Sequence, residues 1–272
     1  MIDIGVNLTS SKFDGDRAAV VDRARRSGVE ALVITGTNVR SSVDAAALSE
    51  EFDAYSTAGV HPHDAKDWDE GTLDRLEALS HHERVVAIGE CGLDFDRNYS
   101  PPAAQRDAFE RQLTLARDLR MPLFLHERSA HDAMIEILEP IRDSLREVVV
   151  HCFTGSRPQL ARYLDLDLHI GITGWICDER RGSELYEIVA DIPYERLMLE
   201  TDAPWLLPRT LRPRPKNGRN EPAFLPEIVR TVARARGETE EVIARVTTAT
   251  ARRFFGLDPC QVPSRGDAES GS

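Results

Sequence analysis

Six side chains suited to holding a divalent cation recur at one kind of position along this sequence. His61 stands in GVHPHD, Glu90 in AIGECGLDFDR, His126 in PLFLHER, His151 in VVVHCFTG, and Glu200 and Asp202 in MLETDAPWL. Each follows a short apolar run of strand-forming residues. Neutral imidazoles and carboxylates together make the mixed nitrogen and oxygen set that Zn²⁺, Mn²⁺ or Mg²⁺ accepts, so a centre of two histidines and two carboxylates follows. Glu200 and Asp202 are two apart, and on an extended chain both point to one side, where one can bind metal while the other handles a proton. Two carboxyls so close repel unless a cation sits between them. Cys91 and Cys152 directly follow Glu90 and His151, so the same alternation turns them away from the centre. His63 is near enough to His61 to support it, whereas His81, His82, His131 and His169 lack this placement and read as surface or structural.

The elements that must gather these residues alternate along the whole chain. Strands are expected at 2–6, 31–35, 55–60, 85–88, 123–126, 148–151, 169–172 and 197–200, each followed by helical periodicity, as at 16–27, 102–119 and 225–236. Eight such units point to a single-domain α/β protein, a closed (β/α)8 TIM-type barrel, over an open doubly wound sheet. In a barrel of this kind chemistry is assembled at the carboxyl ends of different strands, where the six residues fall. Ser100-Pro101-Pro102 offers a capping hydroxyl to the helix at 102, and Ser41 is expected to open the second helix. Residues 1–258 are expected to form the barrel; after Leu257 the composition turns to Pro, Ser, Gly and charge, so 259–272 is expected to be a disordered tail.

Bulk properties narrow the function. With 272 residues, 41% of them hydrophobic, the chain can bury a substantial core. No run of eighteen apolar residues exists, and Met1-Ile2-Asp3 leads straight into a strand, so a cytoplasmic protein without membrane association is expected. Cys91, Cys152, Cys177 and Cys260 form no CxxC pair, which fits a reduced compartment. No heptad or long apolar patch demands a partner, and a monomer is expected.

The net charge of −12 argues against nonspecific coating of DNA, but not against gripping a few phosphates. One local exception stands out at 209–219, where Arg209, Arg212, Arg214, Lys216 and Arg219 occur with no acidic residue among them. This segment follows the last strand and should hang over the same barrel face. It reads either as a phosphate rail or as a solvated loop in an Arg-rich chain. Arg180 and Arg181 are further phosphate candidates, and Trp175 and Trp205 could stack a terminal base or simply pack.

At these motifs the chain resembles TatD-type deoxyribonucleases of the metal-dependent hydrolase superfamily. The matching strings are DIGVNLTSSKF, VITGTN, STAGVHPHD, VVAIGECGLDFDRN, MPLFLHER, HCFTG, GITGWICDERRG, LETDAPWLLPR and RNEPAFLP. The resemblance implies a distorted barrel and a divalent-metal centre, usually supplied with Mg²⁺. It also implies 3′-to-5′ exonuclease activity on single-stranded DNA, with RNA as a further substrate. Carried over by motif, the metal ligands are Glu90, His126, His151 and Asp202, with His61 and Glu200 beside the scissile phosphate. Many relatives begin with a His-x-His pair that completes a binuclear site; Gly5 and Asn7 stand there here, so one firm metal and a weaker second are expected.

In that scheme the metal polarises the phosphate, Asp202 or Glu200 takes a proton from water, and His61 donates a hydrogen bond to the phosphate. The same centre could instead attack a small ester, amide or lactone, or an aminoacyl-tRNA ester, since fold does not fix function. A binding protein with a vestigial site is the third class, disfavoured by the intact acid and imidazole set.

Overall fold

A computed structural model describes residues 1–257; the tail expected at 259–272 lies outside the described residues. Eight parallel strands run in sequence order around one sheet, β1 (Ile2–Val6), β2 (Ala31–Ile34), β3 (Tyr55–Ala58), β4 (Val85–Asp94), β5 (Leu123–Arg128), β6 (Val148–Val150), β7 (His169–Ile172) and β8 (Leu197–Leu199). The helices between and after them are α1 (Arg17–Arg26), α2 (Val39–Glu51), α3 (Thr72–Ser80), α4 (Pro102–Leu119), α5 (His131–Leu138), α6 (Arg157–Asp165), α7 (Ser183–Ile188), α8 (Leu225–Arg236) and α9 (Glu240–Phe255). The expected (β/α)8 barrel is what forms.

Its closure is irregular. β1 meets the far end of the sheet through a bridge between Val6 and Ala203, beyond the end of β8. Asn7 N–H donates to Ala203 O at 2.8 Å, and Asp202 N–H to Gly5 O at 2.9 Å. The segment carrying Asp202 is therefore part of the barrel wall, which fixes its backbone as firmly as a strand would.

Both sides of the strands are apolar because both are covered. Outward residues such as Val6, Ile34, Ile88 and Leu125 pack against helix residues including Val21, Leu113 and Ile228. Inward residues Ile2, Ile4, Val33, Ala87, Phe124, Val149 and Met198 fill the barrel's lower half, and Ala251, Phe254 and Phe255 of α9 seal it from below. The interior is thus a packed core, and only the carboxyl end is left for chemistry.

Several boundaries differ from expectation. β4 runs to Asp94 rather than stopping at Ile88, because a register shift between Gly89 and Cys91 lets the strand resume. Gly89 has φ 136°, and a side chain there would meet Phe124 O, so the glycine that looks like a strand end is the bend that keeps the strand going. Ser100 does not cap α4, whose cap residue is Pro101; its hydroxyl instead donates to His63 O at 2.7 Å and accepts from Lys66 N–H at 3.1 Å. α2 opens at Asn38, and Ser41 is the third-position partner in a reciprocal capping box. Among the described residues no helix is long and apolar enough to cross a membrane.

His169, expected to be structural, begins β7 with its ring edge-on to Phe254 and Nε2 accepting from Arg196. Burial, reinforced by the Arg196 charge, pushes this imidazole down to about 3. The unfolded chain takes up the proton near pH 6.5, so stability is full above that pH and is lost as pH falls toward 3. Between pH 7 and 5 this one group should remove about 2 kcal/mol, read as a falling urea midpoint. His169→Gln should flatten that pH dependence; an unaltered slope would show that the ring does not titrate as described.

Candidate metal centre at the carboxyl end of the barrel

Three imidazoles, from the ends of β3, β5 and β6, meet one carboxylate oxygen of β4. Glu90 lies within the extended β4, His126 within β5, and His151 is the first residue after β6. Glu90 Oε1 is 2.8 Å from His151 Nε2, 2.9 Å from His126 Nδ1 and 3.2 Å from His61 Nε2. His61 follows β3 and caps the 3-10 turn Pro62–Asp67, where its Nδ1 accepts from His63 N–H at 3.1 Å. That bond fixes the tautomer, so His61 carries its hydrogen on Nε2 and faces Glu90 as a donor. Ligand atoms of His61, Glu90 and His126 lie within 4.8 Å of one another.

The electrostatics of this knot suit a cation. Burial alone would raise the Glu90 carboxyl, but His151 and His61 nearby, with hydrogen bonds from His126 and His151, hold it well below the usual range. Burial opposes charge on His151 too, yet Glu90 on one side and Glu200 on the other raise it well above an ordinary imidazole. Burial pushes His61 down to about 4, so it stays neutral. Three imidazole nitrogens crowd an oxygen that has two lone pairs, and buried His126 Nε2 meets only Asp94 Oδ2, at a long 3.4 Å. A divalent ion taking lone pairs from Glu90, His126 and His151 would relieve the crowding at Oε1, so the residues present fit a metal.

Asp202 and Glu200 prove to be unlike neighbours. β8 ends at Leu199 and Asp202 has φ 51°, so the alternation expected of an extended chain does not hold there. Glu200 has no exposed surface. It lies beneath the knot, accepting Cys152 N–H at 2.6 Å and reaching His151 Nδ1 at 3.3 Å, where the sequence reading set it beside the phosphate. Its geometry suits orienting His151. Asp202 accepts from Asn7 Nδ2 at 2.8 Å, and desolvation pushes its carboxyl up to about 7. Cys91 is buried in the outer core and the Cys152 thiol faces Thr173, away from the knot, as the alternation implied.

Several supporting residues escaped the sequence reading. Asp94, two alternations along β4 from Glu90, lies 2.6 Å from His63 Nε2 and 3.4 Å from His126 Nε2. Gln105 and Gln112, buried seven apart on α4, pin the backbone of Asp94 and Val60 respectively, each through both ends of its amide. Asp3 accepts from Thr201 N–H and Oγ1, and Asn220 donates to Thr201 O, clamping the segment before Asp202 from two sides. The spacing of Asp94 and of the two glutamines was a usable signal; the Asp3 and Asn220 contacts, which join distant segments, were not.

The sequence model of the family described as "TatD related DNase" matches residues 2–256. The chain belongs to this family. It is 52% identical over 259 residues to the Klebsiella pneumoniae protein named 3′-5′ ssDNA/RNA exonuclease TatD, a match covering 95% of this chain and 98% of the relative. The Erwinia amylovora protein of the same name is 55% identical over 259 residues, covering 94% and 100%. The solved structure of the Escherichia coli TatD homologue YJJV superposes with a TM-score of 0.86 at 27% identity, covering 95% of this chain and 98% of that one.

Within this TatD barrel the four arginines expected to grip phosphate are already engaged. Arg180 and Arg181 reach buried Asp178 at 3.3 and 2.9 Å. Arg209 pairs with Glu179 at 3.0 Å and Asp178 at 3.4 Å. Arg219 is tied to Asp16 and Glu221, each at 2.7 Å, and joins the 209–219 loop to the start of α1. Trp175 donates to Arg181 O and is covered by guanidinium groups, whereas Trp205 is 48% exposed with Lys12 over its ring.

The places of the missing His-x-His pair also find a physical role. A Cβ on Gly5 would lie 2.3 Å from Glu200 Oε2, and one on Gly171 2.7 Å from Oε1. Glu200 thus occupies the space a first-strand histidine would need, and Asn7 turns its amide to Asp202. Gly5→Ala should cost about 1–3 kcal/mol in urea unfolding through overpacking. The cost should shrink in a Glu200→Ala background, and an equal cost in both backgrounds would contradict the close approach.

Proposed function

We propose that this TatD-family chain is a metal-dependent 3′-to-5′ exonuclease that hydrolyses phosphodiesters of single-stranded DNA and RNA. The observation that carries the reading is the convergence of three strand-borne imidazoles on Glu90 Oε1, at the open end of a barrel whose other end is sealed. Relatives at 52% and 55% identity that bear the name of such an exonuclease support it.

Glu90, His126, His151 and Asp202 would hold the ion, with Mg²⁺ the metal we favour and Mn²⁺ or Zn²⁺ compatible with the same donors. Such an ion supplies Lewis-acid polarisation of the phosphoryl oxygen and acidification of water. The chain's own residues supply the rest. Asp202, held by Asn7 Nδ2, would take the proton that the water gives up. His61, neutral and with its hydrogen on Nε2, would donate to a non-bridging phosphate oxygen once an ion takes the Glu90 lone pair that the hydrogen now faces. Glu200 orients His151 from below and keeps its ring at the knot. Gly5 and Asn7 favour one firm ion over two. We place the enzyme in the cytoplasm, acting as a monomeric barrel.

End-labelled single-stranded and duplex oligonucleotides incubated with Mg²⁺ or with chelator test this reading. Expected is shortening of the single strand from its 3′ end, abolished by chelator and reduced on the order of a thousandfold by Glu90→Gln or His126→Ala. Intact DNA, alongside turnover of a panel of small esters, would instead assign the centre to carbonyl chemistry.

A further inference from the structure

Arg128 is the single Arg or Lys carried by any of the eight strands. It lies two residues beyond His126 on β5, so its side chain leaves the strand on the same side as that imidazole. From there it crosses the mouth toward the following strands. Its Nη1 donates to Thr154 Oγ1 at 3.2 Å in the loop after β6, and its guanidinium lies 5.2 Å from the Trp175 ring in the turn after β7. Among the described residues it has no carboxylate partner, although Arg180, Arg181, Arg209 and Arg219 around the same mouth each have one.

That contrast has a physical meaning. A half-buried guanidinium with one donor on a hydroxyl and its face on an indole has lost water without gaining an anion, and its remaining N–H donors are free. Arginines matched to carboxylates show that this fold can neutralise a cation here when nothing else is to bind it. Arg128 is also held on three elements, so little side-chain freedom is lost when an anion arrives.

We infer that Arg128 is a substrate-positioning residue that binds a non-bridging oxygen of the phosphodiester next to the scissile one, on the β6 and β7 side of the knot. Trp175, which the sequence reading offered as a base-stacking ring, serves instead as the platform that aims this guanidinium. The inference rests on the nucleic-acid reading above and sharpens it. Recognition of a second phosphate makes a polynucleotide end, rather than an isolated phosphodiester, the ligand.

The test is binding of fluorescein-labelled oligothymidylate to the full chain in chelator, followed by anisotropy, so that turnover does not enter. Arg128→Gln should raise Kd about tenfold and lower the slope of log Kd against log salt by about 0.7. Arg128→Lys should restore that slope without restoring the full affinity. Arg106→Gln, on outer helix α4, should change neither. Replacing one linkage at a time by neutral methylphosphonate should reveal one position that costs the wild type about tenfold and costs Arg128→Gln nothing further. Wild-type binding that is unaffected by Arg128→Gln, or a wild-type scan with no such linkage, overturns the inference and leaves the exonuclease reading standing. A wild type that binds no single strand, either in chelator or with Ca²⁺ in its place, overturns that reading and the inference with it.

Discussion

One carboxylate oxygen organises this molecule. Glu90 Oε1 is the meeting point of imidazoles from the ends of β3, β5 and β6, all within 2.8–3.2 Å. Buried carboxylates are tolerated only when their lone pairs are satisfied, and buried imidazoles only when both nitrogens find partners or lose their charge. The knot satisfies the oxygen by crowding it and leaves His126 Nε2 only a long 3.4 Å approach to Asp94. A set of residues shaped only for stability would replace such a cluster with apolar groups. Its retention at the one open end of a packed barrel is intelligible if a cation completes it.

Much of the surrounding structure keeps that knot in place. Below, Phe124 lies under His151 with ring centroids 4.7 Å apart, and Glu200 holds the other imidazole nitrogen. At the side, two glutamines of α4 clasp the backbones of Val60 and Asp94, which flank His61 and Glu90 in the chain. Across the seam, β1 supplies Gly5, whose lack of a side chain admits Glu200, and Asn7, which fixes Asp202. These contacts cost little individually. Together they hold His61, Glu90, His126 and His151, from four strands, within hydrogen-bonding distance, which catalysis by positioning requires.

The parts legible in the sequence were those governed by local pattern. Pro102–Leu119 and Leu225–Arg236 form helices with the bounds that periodicity assigns, and Ile2–Val6 and His169–Ile172 are strands as read. The knot itself was legible because His and Glu at strand ends stand out against apolar runs. What pattern could not supply were outcomes decided by distant partners. Gly89 looked like a stop and acts as a bend, because Phe124 of β5 lies against it. Glu200 looked like a mouth residue and went inward, because Gly5 and Gly171 leave room for it. The basic segment looked like a phosphate rail, and Asp16, Asp178, Glu179 and Glu221, none of them inside it, engage two of its arginines, Arg209 and Arg219. Ser100 stands where a cap is expected, and its hydroxyl is drawn instead to His63 O and Lys66 N.

Direct measurement of cation uptake bears most closely on the claim that Glu90, His126 and His151 are built around an ion. Titration calorimetry of rigorously demetallated full chain with Mn²⁺ should show one tight site per chain, lost in Glu90→Gln while the fold, followed by circular dichroism, persists. No uptake of manganese, magnesium or zinc by the wild type, or equal uptake by Glu90→Gln, would contradict the account.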